Sequence, residues 1–232
     1  MGGSMTTILH IDSSARFGES GKQPHGSHTR RLTRLFVERW LAHAPVTRII
    51  SRDVAASPPR PVDGRWIEAA FTRPAARAGW MTEVLQESDK LVDELEASDL
   101  IVIGAPMYNF GIPSPLKAWI DNIVRVGRTF GFDRSRDGAP YWPMLPPGKQ
   151  LVILAARGDG GYGRDGPLAG SNLVETSLQV PLAYIGITDC AAVAVEWDEF
   201  ADERVVASLA AAEAEIEMLV ERLADRRPSL AA

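Results

Sequence analysis

Three large side chains crowd one asparagine in PMYNFG (106–111): Met107, Tyr108 and Phe110 surround Asn109, with Pro106 leading in. The stretch follows an apolar run, DLIVIGA (99–105), and precedes IPSPLKAWID (112–121), which reads as a helix. A plain connector needs only Gly, Asn or Asp to turn. A thioether and two aromatic rings at a strand end suit a wall against which something flat lies.

Two further stretches carry related chemistry. In SSARFGESGKQPHGSHTRRL (13–32), hydroxyls recur at Ser13, Ser14, Ser20, Ser27 and Thr29, and Glu19 is the lone acid. Ser27 or His28 stands where a helix N-cap belongs. Free N–H groups and the positive end of a helix dipole make such a terminus an anion site. Ser14, Ser27 and Thr29 add donors there without adding charge. The same composition also describes a Ser-rich flexible loop with one cap. It is not a P-loop, because GESGKQ lacks the earlier glycine and has Gln after Lys22. In RGDGGYGRDG (157–166), Gly158, Gly160 and Gly163 match G-x-G-x-x-G. A dinucleotide fingerprint follows the first strand and opens a helix at once. Here the helix waits until about Leu168, so the glycines read instead as backbone free to approach a ring.

The elements that position these stretches alternate. Strands are expected at 6–12, 46–51, 99–105, 150–156 and 188–197. Helices are expected at 28–43, 81–98, from about Pro115, over 173–186 with Pro181 bending or interrupting it, and at 202–223. Arg52–Gly79 and 134–149 read as irregular loops, the first with one helical turn near Ile67. The strands are continuous apolar runs, which implies a parallel sheet covered on both faces. Ligands then sit beyond the carboxyl ends of its strands, where the three stretches meet.

The chain has 232 residues, 45% hydrophobic and 24% charged, which suits one large domain. Its boundaries are placed at 6–225, with a tag or loose tail at 1–5 and a tail at 226–232. A formal net charge of −5 argues against a nucleic-acid partner. No apolar run is long enough for a membrane span, and no signal peptide is visible. A single cysteine, Cys190, implies a cytoplasmic setting and reads as a small buried apolar residue. His25 and His28 hint at a metal pair, but no further ligand stands nearby and no metal is expected. His10 reads as a hydrogen-bonded core residue and His43 as a solvated helix end. Trp66, Phe130 and Phe132 are either core staples or part of a neighbouring subunit's wall.

PMYNFGIPSPLKAWIDNIVRVGRTF (106–130) resembles the FMN-dependent NADH-azoreductases, within the flavodoxin-like quinone reductases. The opening strand with Ser13–Ser14, the Ser27–His28–Thr29 step and the Arg157–Gly158 loop resemble the same family. The resemblance runs from about Thr6 to Leu223. The chain differs in an insertion over Gly18–Gly26, in Ala156 where Ser is usual, and in Asp159 within the glycine pair. The resemblance implies a flavodoxin-like α/β fold with five parallel strands in the order 2-1-3-4-5. It implies FMN, reduced by NADH or NADPH, and a quinone or azo acceptor that takes the hydride in a ping-pong cycle. Ser14, Ser27, His28 and Thr29 would take the phosphate. Pro106, Met107, Tyr108, Asn109 and Phe110 would line the ring, with Asn109 near its reactive nitrogen. Ala156, Arg157, Gly158 and Asp159 would border the pyrimidine end. A homodimer would bring Phe130, Phe132 and Trp66 to the acceptor pocket. A flavodoxin-type electron carrier and a flavin-free phosphate-binding regulatory domain are the alternatives.

Overall fold

The computed structural model describes residues 5–226. The tails expected at 1–5 and 226–232 therefore lie, apart from Met5 and Arg226, outside the described residues. Five strands form one parallel sheet: β1 (Thr6–Asp12), β2 (Thr47–Asp53), β3 (Leu100–Pro106), β6 (Gln150–Ala156) and β7 (Asp189–Val195). Their order is β2-β1-β3-β6-β7, so the expected 2-1-3-4-5 arrangement of the five parallel strands is observed. Between β3 and β6, a two-stranded antiparallel hairpin interrupts the series, β4 (Phe130–Phe132) with β5 (Tyr141–Pro143).

Every residue of β3 is buried, because helices cover both of its faces. On one face Ile101, Ile103 and Ile153 meet α3 (Gly79–Ala97), α4 (Ser114–Ile123) and α5 (Val174–Tyr184). On the other, Val102, Val152 and Leu154 meet α1 (His28–His43) and α6 (Glu203–Asp225). Alternation along each strand thus feeds two separate cores. In α1 the buried stripe is Leu32, Phe36 and Trp40, as its spacing requires.

Three local expectations are corrected, at Arg52–Gly79, at 134–149 and at Cys190. The Arg52–Gly79 segment holds a full helix, α2 (Gly64–Phe71), in place of one turn. Asp63 caps it, accepting from the Trp66 N–H at 2.8 Å. The 134–149 segment is not wholly irregular, because β5 lies within it and pairs with β4. Trp142 lies flat on Gly131, where a Cβ would collide with the indole. Pro181 stands inside α5 and the helix runs on to Tyr184. Cys190 is half-buried on the edge strand β7, its Sγ accepting from Gln179.

Candidate functional site at the carboxyl ends of the strands

The loop after β1 is tied down at both ends. Ser13 Oγ donates to the Gly104 carbonyl at 2.6 Å, fixing the end of β1 to β3. The inserted Gly18–Gly26 segment closes on itself: the Ser27 N–H donates to Gly18 O at 3.0 Å and Ser20 N–H to Ser27 O at 3.1 Å. Gly26 is required at this pinch, since a Cβ would overlap the Glu19 carbonyl. The segment is thus a closed loop directly ahead of α1. Ser27 is the N-cap, its Oγ accepting from the Arg30 N–H at 3.3 Å and lying 2.9 Å from Thr29 Oγ1. Ser14, Ser27 and Thr29 are all buried. The first-turn N–H groups of His28 and Thr29 have no intrahelical acceptor, as at any helix start.

Arg30, one step further along α1, is held 2.7 Å from Asp53 and 3.5 Å from Asp12. Burial alone would lower its pKa. The Asp53 hydrogen bond and the Asp12 charge outweigh burial and hold it above the usual value. Its Nη2 donates to the Ser14 carbonyl at 2.9 Å, so the guanidinium braces the hydroxyl loop.

After β3 the chain makes a tight bend. The Tyr108 N–H donates to Gly111 O at 2.9 Å and the Gly111 N–H to Tyr108 O at 3.1 Å. Asn109 and Phe110 between them both have positive φ, 48° and 70°. Tyr108 and Phe110 are left exposed. The bend is anchored on each side: the Met107 N–H donates to Ala156 O at 2.8 Å and the Leu173 N–H to Phe110 O at 2.9 Å. Tyr108 Oη accepts from the Ala15 N–H at 3.1 Å, which joins this bend to the hydroxyl loop.

After β6, Arg157 is 5% exposed and its guanidinium is committed to two carboxylates of the chain itself. Nη1 lies 2.8 Å from Glu196, and Nη2 pairs with Glu175. Glu196 also accepts from the Gly161 and Tyr162 N–H groups at 2.9 and 3.1 Å. The glycine loop is therefore held by the end of β7. Gly158 lies against Glu199, Gly160 against the Trp197 ring, and Asp159 accepts from the Gly160 N–H.

Ser14, Ser27, Thr29, Tyr108, Ala156 and Arg157 are thus brought to one end of the sheet. Trp66 is placed elsewhere, in a cavity of about 320 Å³ with Arg60 and Asn122, 5.7 Å from the Arg125 guanidinium. Phe130 is a core residue, 8% exposed, packed on Tyr141 and Tyr184. Phe132 stacks on Tyr141 at the surface. His10 lies 3.4 Å from Asp12, beside a cavity of about 390 Å³ between α1 and β2. No cluster of metal-ligating residues occurs among the described residues. The sequence reading missed Glu175, in the first turn of α5, and Glu196 and Asp198, just past β7, which brace the loops. EWD (196–198), directly after the last strand, was the available signal for the latter two.

A family model described as flavodoxin-like fold matches residues 6–219. An FMN-dependent NADH:quinone oxidoreductase of Opitutus terrae is 45% identical over 222 residues, 95% of this chain and 99% of that protein. The chain belongs to this family of flavodoxin-like quinone oxidoreductases. A second member, FMN-dependent NADH:quinone oxidoreductase 2 of Idiomarina loihiensis, is 39% identical over 94% of this chain and 91% of its own length. The fold matches a crystal structure of a Bacillus anthracis FMN-dependent NADH-azoreductase in complex with FMN. Its TM-score is 0.77 at 20% identity, over 95% of this chain and all of that one. The residues present suit the family's cofactor. Buried neutral hydroxyls at an open helix start suit a phosphate, and the exposed Tyr108–Phe110 bend suits a ring. The buried Nδ1 of His28 has no partner within the protein, as expected of a group that awaits a ligand.

Proposed function

We propose that the chain is an FMN-dependent NAD(P)H oxidoreductase that reduces quinones and azo compounds in two-electron steps. The chemistry FMN supplies when bound is hydride transfer from a nicotinamide to the acceptor. Ser14, Ser27 and Thr29, with the N–H groups of His28 and Thr29, hold the phosphate. Pro106–Phe110 form the wall for the ring, Asn109 beside the reactive nitrogen. Ala156, Arg157, Gly158 and Asp159 border the pyrimidine end through their backbone, since the Arg157 guanidinium is engaged elsewhere. The Ala15–Tyr108 hydrogen bond carries this reading, because it joins an anion site to a flat apolar wall.

Acid or heat should release a yellow compound that chromatographs as FMN. Release of FAD, or failure to reconstitute with FMN, would overturn the assignment. Steady oxidation of NADH or NADPH with a quinone alone separates an enzyme from an electron carrier, which needs a partner protein. A colourless chain that cannot be reconstituted would point to a regulatory domain.

The acceptor pocket is completed in this reading by a second copy of the chain. Phe132 and Tyr141 stack at 4.7 Å, and Tyr141 lies 6.0 Å from Tyr184, all three exposed. A two-fold dimer covers such a ladder and lets Phe132 and Trp66 of one copy roof the site of the other, with Phe130 supporting the hairpin. Sedimentation equilibrium at assay concentration tests this, and a fully active monomer would defeat the shared site. No helix of the described residues is long and apolar enough to cross a membrane. A cytoplasmic setting is proposed from the single cysteine.

A further inference from the structure

We propose that Asp198, on the loop between β7 and α6, is a positioning residue that orients His28 toward the phosphate of the bound flavin. This rests on the FMN reading above and adds to it a residue outside the hydroxyl loop that fixes a phosphate ligand.

His28 is the first residue of α1, between the Ser27 cap and Thr29. Its Nε2 lies 3.1 Å from Asp198 Oδ1, and its Nδ1 is buried without a partner in the protein. A neutral ring that donates from Nε2 presents a bare lone pair at Nδ1, which repels a phosphate oxygen. A protonated ring presents N–H at both nitrogens. With Asp198 accepting at Nε2, a phosphate oxygen at Nδ1 needs an N–H there as well. Asp198 is itself held below the ordinary carboxylate range, first by the His28 hydrogen bond, against its own burial, and further by Arg16. Arg16 Nη1 donates to Asp198 Oδ2 at 2.9 Å, so one carboxylate serves two cations.

The surrounding charges are otherwise engaged. Along α1, Arg30 pairs with Asp53 and Asp12, and Arg31 pairs with Glu213 of α6. Glu199, beside Asp198, lies against Gly158. The Asp198 loop is tied to the end of β6: the Asp198 N–H donates to Arg157 O at 3.1 Å, with Trp197 before it at a φ of 73°. One segment therefore holds both the phosphate end and the glycine loop of the site.

The test is flavin binding to the stripped full-length protein, read by fluorescence quenching at one fixed pH with FMN and with riboflavin, which has no phosphate. Asp198→Asn should weaken FMN about tenfold, the scale of one lost charge-assisted hydrogen bond, and leave riboflavin within about twofold. Asp198→Glu should restore part of the loss. His28→Gln should weaken FMN and spare riboflavin, and the further loss on adding Asp198→Asn to it should be well below tenfold. Equal losses for riboflavin and FMN, or an undiminished Asp198→Asn effect in the His28→Gln background, would overturn the proposal. Tight FMN binding that Asp198→Asn leaves unchanged would sink this proposal alone. A wild-type chain that binds neither flavin would sink the FMN reading as well.

Discussion

Phe110→Gly should be more stable than Phe110→Ala, reversing the usual order of the two residues. Tyr108 and Gly111 exchange both backbone hydrogen bonds, so Asn109 and Phe110 are the central pair of a two-residue turn with positive φ at both. Such turns favour Asn-Gly, and Phe110 stands where the glycine belongs. A left-handed conformation costs a side-chain-bearing residue about 1–2 kcal/mol. Alanine keeps that strain. Glycine removes it but loses about 0.5–1 kcal/mol in backbone entropy. Glycine should therefore exceed alanine by about 0.5–1 kcal/mol. Phe110 is 52% exposed, so both variants forfeit the same, roughly half, of the ~1.5–3 kcal/mol of a fully buried Phe. Urea unfolding of flavin-free protein at fixed concentration reads the difference, since ligand and assembly both shift midpoints. An alanine variant as stable as the glycine one would refute the strain argument. Strain retained at one exposed bend is expected where the side chain works. Both variants should therefore lose FMN affinity or quinone turnover, and unchanged values for both would remove Phe110 from the wall.

Ser27→Ala removes the cap of α1 and a phosphate donor. It should lower stability by about 1 kcal/mol and weaken FMN several-fold, with turnover of the fully loaded enzyme nearly unchanged; unfolding and flavin titration check the two parts. Arg157→Gln should cost about 3 kcal/mol or more, because Glu175 and Glu196 lose the buried cation they share; a loss below about 1 kcal/mol by urea unfolding would contradict that. Asp198 is held below the ordinary carboxylate range, led by the His28 hydrogen bond. So is Asp53, where burial raises the pKa but Arg30 and the Ala56 N–H outweigh it. A carboxyl depressed in the folded state stabilises above its unfolded pKa and loses that contribution as pH falls through the folded one. Urea midpoints should therefore hold from about pH 5 to 7 and drop below about pH 4, less steeply in Asp53→Asn/Asp198→Asn; an unchanged acid limb in the double variant would refute the assignment.

The local sequence determined the parallel sheet, the helices on both of its faces and a cap at Ser27 or His28. Each of these is a short-range property. An apolar run, a 3.6-residue stripe or a capping hydroxyl acts on neighbours within a few residues, so its type and spacing are visible in the chain. The α2 helix and the β4–β5 hairpin were less visible because two helical turns and three-residue strands carry too little periodicity. Tertiary structure alone decided how the loops are held. Ala15 meets Tyr108 across 93 residues, Arg16 meets Asp198 across 182, and Arg157 meets Glu196 across 39. The family resemblance placed Arg157 at the border of the ring. The fold instead delivered two carboxylates to Arg157, because a buried guanidinium needs compensating charge, and the strand order brings Glu196 beside it at the end of β7. Ion pairs between distant segments follow strand order and register, which only the packed sheet sets.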